Sequence, residues 1–206
     1  DGLYADGDSS FAAESARELA RMARSTSSPK VRAAATCALD QRALLSGKRV
    51  DVAASRRVML RGAETSKDSL NVQLCTLIVE ALHADQTHSN ALQAVTSLDD
   101  FLRRGPQADA MLRTVGNLVA SQLFERLGDR NSAARAVKRR AFSPSGFHIG
   151  AAPLREEARL RAATGDNGGA IKVYKNYLDL HLRAEPSLKQ QDDAARRDLA
   201  RLTGEN

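Results

Sequence analysis

The chain has 206 residues, with 31 Lys and Arg set against 25 Asp and Glu, for a formal charge of +6 at pH 7. It is 42% hydrophobic and 27% charged, a balance that excludes a disordered chain and supports a substantial core. Aromatic residues make up only 4%, Ala and Leu recur, and the Val/Ile/Thr alternation of strands is missing, so the chain reads as all-α. No apolar run reaches the roughly 18 residues of a membrane span. The basic excess favours acidic partners, but most of these charges are expected to solvate helix faces.

Apolar periodicity predicts ten helices in chain order. The first four run from about Ser10 to Thr26, Pro29 to Ser46, Asp51 to Thr65 and Ser69 to Ala84. Three more cover about Ser89 to Arg104, Gln107 to Leu127 and Asn131 to Arg140. The last three cover Pro153 to Thr164, Gly168 to Arg183 and Pro186 to Leu202. Starts are marked by Ser28 before Pro29, and by Pro153 with Glu156 and Glu157 behind it. Ends are marked by Gly47, Gly128 and Gly165, since glycine tolerates the left-handed backbone that closes a helix. Phe142 to Gly150 has no helical period and reads as an irregular linker. The final helix has a narrow apolar stripe of Leu188, Ala195, Leu199 and Leu202 among charged faces, which suits a cap on the end of a stack.

These helices repeat. Gly7-Asp8, Gly128-Asp129 and Gly165-Asp166 each precede an alanine, Ala12, Ala133 and Ala170, near the start of the next helix. A shift of 38 places superimposes Cys37 on Cys75, Leu39 on Leu77, Ala43 on Ala81, Leu44 on Leu82 and Ala53 on Ala91. Periods of this size indicate stacked helical hairpins. Small residues at Ala53, Ala91, Ala133 and Ala170 are expected to allow close helix approach. The middle departs from the pattern: Val52 stands where alanine is expected, and Asp85 where a turn glycine is expected.

Leu154 to Leu160, Thr164-Gly165-Asp166 and Gly169 to Leu178 resemble a tetratricopeptide repeat, with Ala158, Gly165, Asp166, Ala170 and Tyr174 in the family's slots. Ser121, Phe124, Gly128, Asp129, Ala133 and Val137 fit the same slots one hairpin earlier. The C-terminal passage, with Ala184-Glu185-Pro186, is also similar to the terminal repeat arm of large bacterial signalling proteins of the kinase or transcription-activator type. The resemblance implies a right-handed α-α superhelix of about five helical hairpins with a C-terminal capping helix. It also implies a single repeat domain spanning 1–206. The opening residues read as the tail of a helix, so the chain is expected to be a fragment of a longer protein.

Chemical sites are not expected. His83 and His88 are outside the i, i+4 spacing of a helical metal pair, and no phosphate loop or nucleophile elbow occurs. Cys37 and Cys75 are the one pair that could form a disulfide, but without zinc or redox spacing they read as small buried hydrophobes; reduced cysteines suit the cytoplasm, and a tethered arm outside the membrane is the alternative. No enzyme activity, cofactor or metal is therefore expected. The resemblance implies a scaffold that binds a peptide or protein segment in a concave groove lined by first helices. By position this groove presents Leu118, Gln122, Glu125 and Arg126 from one repeat and Arg155 and Arg159 from the next. Exposed array ends also allow a homo-oligomer. The competing expectation is a regulatory arm of a transcription activator, touching nucleic acid through Arg135, Lys138, Arg139 and Arg140; few aromatics interleave with these cations, which argues against it.

Overall fold

The computed structural model describes residues 9–66, 69–104, 108–139, 151–180 and 189–205. Among them are ten α-helices and no strand. They are α1 (Ser9–Ser25), α2 (Pro29–Leu45), α3 (Val52–Ser66), α4 (Ser69–Thr87) and α5 (Ala91–Arg104), then α6 (Ala110–Arg126), α7 (Arg130–Lys138), α8 (Ala151–Ala163), α9 (Asn167–Leu180) and α10 (Lys189–Thr203). Gly7-Asp8, Pro106, Arg140, the linker from Phe142 to Gly150, His148, His181, Ala184-Glu185-Pro186 and Leu188 lie outside the described residues.

Helices pair in chain order. α2 packs on α3, α4 on α5, α6 on α7 and α8 on α9, and each second helix also meets the next first helix. First helices touch one another as well, α2 against α4 and α4 against α6, while α1 lies on α2 and α9 on α10. One apolar core runs from Cys37 on α2 to Leu160 on α8. A second joins Leu154 and Ala158 of α8 to Tyr174 and Tyr177 of α9 and Ala195 of α10. α8 therefore serves both cores, turning Leu160 one way and Ala158 the other.

The Gly-Asp pairs have a backbone explanation. Gly128 has φ +85° and Gly165 φ +82°, so each reverses the chain where its first helix ends. The following amide closes the turn: Asp129 N–H donates to the Phe124 carbonyl at 2.9 Å, and Asp166 N–H to that of Arg161 at 2.9 Å. The same aspartates then cap the next helix, accepting from Ser132 N–H at 2.9 Å and Gly169 N–H at 3.0 Å. The Asp129 carboxyl is held below its ordinary value by the Ser132 hydroxyl and amide, and that of Asp166 by the Gly169 amide and then Arg161.

The same closure explains the irregular middle. α4 continues past Ala84 to Thr87, and His88, at φ 51°, takes the glycine position. Ser89 N–H reaches the Ala84 carbonyl at 3.1 Å, as Lys48 N–H reaches that of Ala43 at 2.8 Å behind Gly47. Asp85 is thus not the turn residue; it remains inside α4. α6 starts at Ala110 rather than at Gln107, because Asp109 accepts hydrogen bonds from Met111 and Leu112 N–H at 2.9 and 3.0 Å.

Small residues occupy most, but not all, of the expected contact slots. Ala133 and Ala170 are fully buried, as is Ala158. Ala53 is exposed and Ala91 half-buried, which corrects the register drawn from the 38-residue shift. The cap fixes the true register. Asp51 accepts from Ala54 N–H at 2.9 Å, and four residues after Asp51 the buried small residue is Ser55, just as Ala133 follows Asp129 and Ala170 follows Asp166. Three residues between Gly47 and Asp51 lengthen this turn and shift the slot.

Cys37 and Cys75 are not thiols, contrary to the sequence expectation. They form a disulfide with Cα atoms 6.1 Å apart, within the usual span. The reason is the repeat itself: equivalent positions on α2 and α4 become neighbours when the two helices pack side by side.

The last helix is a cap of a different kind from a solvated stripe alone. Ala195 is buried, with Leu199 and Leu202 packed on the same cluster. Tyr174 and Tyr177 hydroxyls also donate to Asp198 Oδ2 at 3.0 Å and Asp192 Oδ1 at 2.9 Å. Burial, with the Asp198 carboxylate beside it, pushes the Tyr174 hydroxyl well above its ordinary pKa, keeping it a donor.

Replacing His88 with Gly removes a left-handed backbone cost of roughly 1–2 kcal/mol, partly offset by a looser unfolded chain. The melting midpoint of His88→Gly is expected to rise by about 2–4 °C, measured by calorimetry. Gly62→Ala should act oppositely, because a Cβ there meets Ala33 Cβ at 2.5 Å and the Pro29 carbonyl oxygen at 2.9 Å. Urea unfolding is expected to show a loss of about 1–3 kcal/mol, whereas Gly168→Ala, with nothing within 4 Å, should show none.

Candidate functional site

A cleft in the N-terminal half has a mainly apolar lining drawn from several helices. Its volume is about 510 Å³, within the roughly 300–1,000 Å³ of ligand-sized sites. Three first helices build it from equivalent positions. α2 gives Ala34 and Cys37, α4 gives Val72 and Cys75, and α6 gives Leu112 and Val115. Residues three apart on a helix share a face, so each pair points the same way and the three faces line one channel. Met59 and Gly62 of α3 close one side.

The hollow has a steric cause. α2 meets it with Ala33, Ala34 and Ala38, side chains too short to reach across to Met111 and Leu112. Met111 is 56% exposed, a large apolar residue at the rim without a full complement of neighbours. Polar groups sit at the edges. Asn71 Oδ1 accepts from Asp109 N–H at 2.7 Å, which fixes the approach of α4 to the start of α6. Gln41 is buried, and its amide donates to Cys37 Sγ at 3.0 Å. Lys30 and Asp109 place one charge of each sign on the border.

The residues named from sequence are brought to a different place. Leu118 is 5% exposed and belongs to the main core, so its side chain is not offered to a partner. Gln122 is half-buried. Arg126 pairs with Asp85 of α4 at 2.5 Å. Arg159 of α8 donates to Glu125 of α6 at 2.9 Å and to Glu156 of its own helix at 2.9 Å. Arg155 donates to Gln191 of α10 at 2.5 Å. These arginines join consecutive first helices, and α8 to the terminal helix. Glu156 and Glu125 raise the Arg159 pKa above its ordinary value, and Arg159 holds the Glu125 carboxyl below its own.

The cleft residues were missed because alanines carry no chemical signal. One clue was present: the shift that matches Cys37 with Cys75 also matches Ala34 with Val72, marking a repeated inward face.

The basic cluster is partly committed inside the fold. Arg139 pairs with Asp99 of α5 and donates to Asn117 Oδ1 at 3.1 Å, and Asn117 returns a hydrogen bond to the Arg139 carbonyl at 2.8 Å. Arg135 donates to the Ser132 hydroxyl at 2.8 Å, while Lys138 is exposed. His83 is half-buried and His88 exposed. Among the described residues no group of three or more His, Cys, Asp or Glu could hold a metal ion, and no helix is long and apolar enough to cross a membrane.

The α6–α8 link has a defined pH dependence. Glu125 is depressed in the folded state, so its contribution is present above the unfolded carboxyl value near 4.3 and lost as pH falls through the lower folded value. Both partners are part-exposed, which limits the effect. Arg159→Ala is expected to cost under about 1 kcal/mol at pH 7, with the gap to wild type closing in acid; thermal scans at stepped pH check it.

No family model matches the chain, and neither a curated protein nor a solved structure matches it.

Proposed function

We propose that this chain is a tetratricopeptide-like interaction module, a right-handed superhelix of stacked hairpins that binds an apolar segment of a partner protein without a covalent step. The carrying observation is the cleft of about 510 Å³, built from one repeated slot on α2, α4 and α6. Hairpins that pack in chain order support the superhelical reading, since each first helix then contributes the same face to a common surface.

A protein segment suits this cleft better than a wholly apolar ligand. Its floor is alanine and valine, yet its border carries Lys30, Asp109 and Asn71. An apolar side chain can enter the hollow while the peptide backbone meets polar groups at the edge. Glu125, Arg126, Arg155 and Arg159 act in this reading as ties that hold the first helices in place, rather than as partner contacts.

A random-peptide display library tests the proposal. Selection on the folded chain should enrich sequences with clustered Leu, Ile, Met or Phe. Their binding should fall at least tenfold in Ala38→Trp, whose side chain fills the hollow, with the melting profile of α8–α10 unchanged. Failure to enrich any sequence, or equal binding to Ala38→Trp, would overturn the proposal.

A further inference from the structure

We infer that the Cys37–Cys75 disulfide is an oxidation-dependent staple that assembles the cleft. The chain has two cysteines and both are used in this one bond. The bond joins consecutive hairpins, not two ends of one helix pair, so it fixes α2 beside α4. Disulfides persist where the surroundings are oxidising and are lost in the thiol-rich cytosol.

Packing explains why a covalent link matters at this junction. Where α4 meets α6, large buried side chains such as Ile78, Leu118 and Leu123 share the core, and Arg126 adds its pair with Asp85. Where α2 meets α4, α2 presents Ala33, Ala34 and Ala38 to the cleft. Besides the disulfide, Gln86 of α4 donates to the Leu44 carbonyl at 2.6 Å, which closes the far end of α2. Leu44 of α2 packs in the shared core at that same end, so the sulfur bridge adds its restraint along the alanine stretch of α2, where side chains bury little area. Gln41 is buried against it, with its amide nitrogen 3.0 Å from Cys37 Sγ and 3.9 Å from Cys75 Sγ.

The chemistry balances as thiol–disulfide exchange. The Cys37 thiolate attacks a donor disulfide and releases one thiol. The Cys75 thiolate then displaces the second, so two protein thiols lose two electrons and two protons, and the donor becomes two thiols. A dithiol reductant reverses both steps. Closing this loop constrains the unfolded chain, and its loss should be felt locally, on α1 to α4.

The test uses the full chain exported to a bacterial periplasm and purified without reductant. Alkylation in denaturant should modify neither cysteine, and proteolysis should yield one joined peptide pair containing Cys37 and Cys75. Dithiothreitol should lower the melting midpoint by about 10 °C. Hydrogen exchange should then speed up at least tenfold in α2 and remain unchanged in α9. Cys37→Ala/Cys75→Ala should match the reduced protein and ignore dithiothreitol; if that variant does not fold, reduction of the wild-type chain alone decides. Free thiols in the exported protein, or α2 protection unchanged by reduction, would overturn the inference.

Discussion

Close approach of helix backbones is the constraint on which the other features depend. Ala33 and Gly62 bring α2 against α3 with no room for another carbon. Ala133, Ala158 and Ala170 are fully buried in the later hairpins, and Ser55 holds the matching place in α3. A larger residue at any of these points forces axes apart, and interiors at crystal-like density do not absorb that displacement cheaply. Once axes are close, side chains at equivalent positions of neighbouring hairpins become neighbours. The disulfide, the arginine ties and the cleft all follow from that equivalence.

Short turns make the approach possible. A residue in the left-handed region stops one helix, and the carboxylate immediately after it starts the next at 128–129 and 165–166. A two-residue reversal leaves the helices no choice but to lie antiparallel and in contact. At 88 a histidine adopts the same backbone at a cost glycine avoids. The geometry of the reversal is retained although the residue is not.

Polar chemistry in this chain is mostly directed at its own helices. Arg126 meets α4, Arg159 meets α6, Arg155 meets α10 and Arg139 meets α5. Each links parts of the chain that apolar packing already brings near, and each is part-exposed and weak alone. Arg126 and Arg159 hold successive first helices together, Arg139 ties α7 to α5, and Arg155 ties α8 to the last helix. Tyr174 and Tyr177 add polar ties to α10, whose Ala195, Leu199 and Leu202 pack on the same cluster.

Local sequence determined the helices, their stops and their caps, because these depend on interactions within a few residues: Gly128 on its own φ, Asp129 on an amide three positions away, Pro29 on its missing N–H. It also carried the repeat, seen in Cys37 and Cys75 falling at one slot. Tertiary structure alone decided what that coincidence meant, since a bond between positions 38 apart needs α2 and α4 side by side. It likewise turned Arg155 and Arg159 from surface charges into struts, and moved the packing slot from Ala53 to Ser55. The cleft was the least legible feature, for a hollow is the space that Ala33, Ala34 and Ala38 do not fill. Absent volume leaves no mark on a linear chain until the opposite wall is in place.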